Sequence, residues 1–93
     1  MKLVYRVHAL QRMALRRVSN SDVETVLQRG SVIENYPAAR PFPSRLVLDR
    51  VGGRPLHVVA ADDVKGQTTY VISVYEPELS RWEPDFKTRR KKP

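Results

Sequence analysis

The chain has 93 residues, a length that holds one small domain. Its make-up, 41% apolar and 29% charged, is that of a globular domain, and no apolar run approaches the roughly 18 residues that a membrane span requires. The absence of cysteine excludes disulfides, Cys-ligated zinc, iron–sulfur clusters and thiol nucleophiles, and fits a reducing cytoplasm. The opening Met1–Arg6 also has no apolar stretch of the secretory kind.

The net charge of +7 is concentrated at the two ends. Residues 1–18 carry five basic side chains and no acid, and so do residues 87–93. The body between them holds seven basic and ten acidic residues. Basic ends on a mildly acidic body suggest a polyanion gripped at the ends. The last run, Lys87–Pro93, has no apolar residue and reads as a disordered basic tail after a single domain over 1–86.

In chain order, Leu3, Val7, Leu10, Ala14 and Val18 recur at helical spacing and predict an amphipathic helix over roughly 4–17. Ser21 and Glu24 have the spacing of a capping box, and Val23, Val26 and Leu27 give a second helix its apolar stripe. Gly30 is placed to end that helix in the left-handed conformation. The rest reads as strands. Ser31–Tyr36 is a short one, and three prolines between Pro37 and Pro43 exclude regular structure there. Arg45–Val51 and Pro55–Ala61 flank a Gly52-Gly53 hairpin, and Thr69–Tyr75 follows a polar turn. Glu76–Phe86 looks irregular or briefly helical, with Trp82 and Phe86 packing back on the body. The expected fold is α+β: two N-terminal helices on one face of an antiparallel sheet of about four strands.

Alternation along the strands then sorts the polar residues. His57 shares a face with Val59 and Ala61, while Val71, Ser73 and Tyr75 share a face in the last strand. His57, Ser73 and Tyr75 are therefore candidates for one partly open surface. On the first helix His8, Arg12 and Arg16 fall at i, i+4 and i+8, a polar stripe beside the buried one. No P-loop, dinucleotide-binding glycine pattern, nucleophile elbow or two-His zinc spacing occurs, so neither a cofactor nor a metal is expected.

His8-Ala-Leu-Gln-Arg12-Met13, Arg54-Pro55-Leu56-His57-Val58-Val59 and Val74-Tyr75-Glu76-Pro77, with Trp82 and Phe86, resemble a widespread bacterial family catalogued as a domain of unknown function. That family is remotely similar to the RelE-like and BrnT-like toxins of toxin–antitoxin operons, although the strands here lack the RelE cluster of basic catalytic residues. The resemblance implies a RelE-like two-layer fold and, as partner, a small antitoxin protein with a zinc-finger or helix-turn-helix domain.

Two functions are expected from these residues. One is a metal-independent endoribonuclease of the toxin type, acting on free or ribosome-associated RNA. RNA brings its own nucleophile, the 2′-hydroxyl, so an acid, a base and a cation suffice. His8, His57 and Tyr75 are the catalytic candidates, and Arg12, Arg16, Arg17 and Ser73 the phosphate- or RNA-binding ones. The other is a non-catalytic module that binds RNA, a ribosome or a protein, with its histidines serving structure. His8, Arg12, His57 and Tyr75 are expected to converge on one surface pocket.

Overall fold

In the computed structural model, which describes residues 1–91, the chain begins with a strand rather than a helix. Lys2–Tyr5 forms β1, Val7–Arg16 α1, Asn20–Arg29 α2, and then Ser31–Tyr36 (β2), Ser44–Val51 (β3), Arg54–Asp63 (β4) and Thr68–Tyr75 (β5) follow. The sheet has five strands in the order β1-β5-β4-β3-β2. The last four form the expected antiparallel meander, whereas β1 lies parallel to β5 and makes the sheet mixed. The fold is α+β. Leu3, counted toward helical periodicity in the sequence, belongs to β1, which leaves Val7 as the first helical residue.

That shift changes which side of α1 is buried. Ala9 and Met13 face the core, while Val7 is 70% and Leu10 46% exposed and Ala14 is exposed too, so that of the expected stripe Val18 alone is buried. Ala9 is small enough to let the helix backbone sit close to the sheet, and Val18, just past the helix, completes the contact. The second helix also starts earlier than its spacing suggests. Ser19 is the N-cap, accepting from the Asp22 N–H at 3.0 Å, and the Asp22 carboxylate accepts from the Ser19 N–H at 2.9 Å. The capping box is thus Ser19/Asp22, not Ser21/Glu24.

Gly30 ends α2 in an extended conformation, φ −70° and ψ 168°, rather than a left-handed one. Its glycine identity answers to space: a Cβ there would sit 2.7 Å from the Leu48 carbonyl oxygen and 2.7 Å from the Val47 side chain. Gly52 and Gly53, with φ of 59° and 78°, do make the left-handed hairpin between β3 and β4.

The helices cover one face of the sheet, packing Ala9, Met13, Val23 and Val26 against Val47, Leu56, Val58, Val71 and Val74. The alternation expected for β5 is broken. Val59 pairs with Ser73 but Ala60 pairs with Val71, so Ile72 is a bulge residue. The extra residue turns Val71 to the helix face and leaves Ser73 and Tyr75 on the other.

That second face is covered by the segment after β5. Trp82 is 3% exposed and meets the His57 ring edge-on at 4.6 Å, and the Arg50 guanidinium lies over Phe86 at 5.4 Å. The segment acts as a strap. It continues past the expected domain end at residue 86: Arg89 pairs with Trp82 in a backbone bridge, and the Arg90 N–H donates to the Arg81 carbonyl at 2.9 Å. Disorder expected from Lys87 onward also concerns Lys92 and Pro93, which lie outside the described residues. Among the described residues no helix is long and apolar enough to cross a membrane.

Candidate functional site

Strand β5 outruns β1. The pairing ends at Tyr5↔Val71, and the part of β5 beyond it contributes Ser73 and Tyr75 to a pocket of about 370 Å³. Its helix-side wall is the polar stripe of α1, His8, Arg12 and Arg16, one residue per turn. Glu76 follows β5 into the rim, and the strap supplies Glu78, Arg81, Trp82 and Arg89.

Five of the seven residues expected at a site therefore meet here: His8, Arg12, Arg16, Ser73 and Tyr75. His57 and Arg17 do not. Arg17 takes the left-handed position after α1, with φ 53°, and does not line the pocket. Its carbonyl accepts from Arg54 at 3.0 Å, beside the Arg16 carbonyl, which accepts from the same guanidinium at 2.6 Å. Arg54 also pairs with Asp22 at 3.8 Å and Glu76 at 3.4 Å, so it ties the end of α1 to the start of α2 and to the pocket rim.

His57, the cross-strand partner of Tyr75, is fully buried. Its Nε2 lies 2.8 Å from the Phe86 carbonyl oxygen and its Nδ1 3.1 Å from the Tyr75 hydroxyl. A carbonyl can only accept, so Nε2 carries the proton and Nδ1 is left to accept from Tyr75. Burial holds the imidazole below its ordinary 6.5, which keeps it neutral in this role. Burial likewise pushes the Tyr75 phenol up, so it keeps the proton it donates. The direct His8/His57 acid–base pair expected from sequence does not form at the surface. His57 instead orients Tyr75.

The strap is locked over this pair by charge. Arg89 lies over the Trp82 ring at 4.6 Å and donates to both Glu34 oxygens, at 2.8 and 3.0 Å. These bonds hold the Glu34 carboxyl below its usual range and raise the Arg89 guanidinium further, while Tyr36 adds a third donor to Glu34. With Arg89 engaged by Glu34 and Glu76 by Arg54, the remaining cations in the lining are Arg12, Arg16 and Arg81, which form no ion pair among the described residues. The pocket thus offers unpaired guanidinium groups, an exposed imidazole and a tyrosine oxygen, a set suited to an anion with hydroxyl groups near it. Among the described residues no group of three His, Asp or Glu is placed to hold a metal ion.

Arg81 and Arg89 were not foreseen as site residues. Arg89 sits in a charge run with no apolar neighbour, and the one signal that the segment returns to the sheet is Trp82 with Phe86.

The family described as Domain of unknown function (DUF4258) matches residues 5–76. The chain belongs to that family. The DUF4258 match covers α1, α2 and β2 through β5, and it ends at Glu76, before the strap. Within the pocket, His8, Arg12, Arg16, Ser73, Tyr75 and Glu76 fall inside the DUF4258 region, and Arg81, Trp82 and Arg89 outside it. No curated protein and no solved structure matches the chain.

Proposed function

We propose that this DUF4258 chain is a toxin-type, metal-independent endoribonuclease of the cytoplasm, with a RelE-like two-layer fold and a small antitoxin protein as its partner. The observation that carries the proposal is the convergence of His8, Arg12 and Arg16 from α1 with Tyr75 and Ser73 from β5 on one pocket. Arg12, Arg16 and Arg81 hold an RNA phosphate and offset charge building on its oxygens during attack by the neighbouring 2′-oxygen. The 5′-oxygen departs, and the proton lost by the attacking hydroxyl reaches it through His8, histidine being the side chain suited to such transfer near neutral pH. The products are a 2′,3′-cyclic phosphate and a 5′-hydroxyl. Tyr75, its proton committed to His57, is not the acid.

The test is cleavage of single-stranded RNA, free or on ribosomes, by the purified protein in EDTA. His8→Ala should cut at least about a hundredfold more slowly while binding RNA as before. A wild type that binds RNA without cutting it points to the second function, a non-catalytic RNA-, ribosome- or protein-binding module. The burial of His57 and its bond to a backbone carbonyl favour that alternative.

A further inference from the structure

The Phe86 carbonyl decides what Tyr75 can do in the pocket. Because that carbonyl takes the Nε2 proton of His57, the Tyr75 hydroxyl must spend its own proton on Nδ1. Tyr75 lines the pocket, its oxygen keeps a lone pair free to accept, and among the described residues this oxygen has no hydrogen bond other than the one to His57. An ionised phosphodiester has no proton to give it. The ligand that satisfies this pocket must carry an anion for Arg12 and Arg16 and, beside it, a hydroxyl that donates.

We infer that the Tyr75 oxygen accepts a hydrogen bond from a ribose 2′-hydroxyl next to the phosphate held by Arg12 and Arg16, which makes the pocket selective for RNA over DNA. The inference rests on the pocket as a nucleic-acid phosphate site and is independent of cleavage. Deoxyribose has nothing to donate, so DNA bound beside partly buried Tyr75 leaves the lone pair of its oxygen without a donor, and an acceptor stripped of water without a partner weakens binding. His57 acts through Tyr75 as a positioning residue. It fixes both the direction of the phenol proton and the side of the oxygen left for the ligand.

Fluorescence anisotropy with labelled oligouridylate, oligodeoxyuridylate and 2′-O-methyl oligouridylate of equal length, in EDTA, tests this. The base is the same in all three probes, and His8→Ala is carried in every arm so that the RNA stays whole. Oligouridylate should bind about tenfold more tightly than the other two, which lack the donor. Adding Tyr75→Phe should abolish the preference, so that in this variant alone the three probes bind alike, with the melting temperature reporting that the variant folds. Equal binding of the three probes, or an RNA preference that survives Tyr75→Phe, overturns the inference and leaves the phosphate site standing. Absence of salt-sensitive binding to any probe overturns both.

Discussion

Arg89 grips Glu34 through two hydrogen bonds, of 2.8 and 3.0 Å, across 55 residues of sequence. One of the last residues described is thereby fixed to β2 at the far edge of the sheet, and its guanidinium roofs Trp82 on the way. Arg89→Ala should unroof the indole, red-shift the fluorescence of the chain's single tryptophan and lower stability by about 1 kcal/mol, the pair being partly exposed. For a domain of this size that is roughly 5 °C in melting temperature. Deletion of residues 87–93 should cost at least as much. An unchanged melting curve would show that the strap does not depend on this clasp.

Acid should undo the same face in two stages. His57 is held below 6.5 when folded, so its contribution is complete above pH 6.5. As the pH falls the unfolded chain takes up the proton first, and stability declines from 6.5 through the folded-state value. Glu34 is held below 4.5, chiefly by the bonds from Arg89, so its contribution is lost as the pH falls below 4.5. Urea titrations followed by Trp82 fluorescence should show both declines. His57→Leu should lower stability at neutral pH by about 2–4 kcal/mol, because the Phe86 carbonyl and the Tyr75 hydroxyl lose their partner. It should also flatten the first decline, and a slope unchanged by the substitution would assign it to another group.

Gly30 is required for space, not for its φ. Gly30→Ala places a methyl group against the Leu48 carbonyl and the Val47 side chain, where α2 hands over to β2. The expected cost is about 1–3 kcal/mol in chemical denaturation, with the far-UV spectrum retained. A neutral substitution would mean that the α2–β3 contact yields more readily than its packing suggests.

The cationic stripe has its own signature. Each of Arg12→Ala and Arg16→Ala should lower the slope of log K against log salt by about 0.7 for single-stranded RNA, and the pair should add. Arg17→Ala, outside the pocket, should leave the slope within about 0.2 of wild type. If Arg17 lowers it as much as the others, RNA tracks the helix end rather than the pocket.

The meander was legible because its strands are short runs rich in β-formers and its turns have their own residues, Gly52-Gly53 above all. β1 was not. Its four residues continue into a helix without a break in apolar spacing, and what makes them a strand is pairing with β5 more than sixty residues later. The polar stripe of α1 was read correctly because i, i+4 spacing holds whichever side faces the core. His57 was misplaced for a different reason. Alternation gave its face, but only the strap decides whether that face is open, and the Trp82 and Arg89 contacts that close it are long-range. The Ile72 bulge left no mark in a run of β-formers.

Strand β5 ends one residue before the last position of the DUF4258 match, yet the pocket draws a wall from either side of that boundary. The site is therefore a composite with a seam at Glu76. Upstream of the seam lie the helix stripe and Tyr75; downstream lie Arg81, Trp82 and Arg89, tethered chiefly by two ring contacts and one ion pair. Those downstream positions contribute no residue to the helices or to the five-stranded sheet. A graft of a different segment after Glu76, provided that it still offers a carbonyl to His57 Nε2, would recast the outer wall of the pocket around an unchanged α1 stripe.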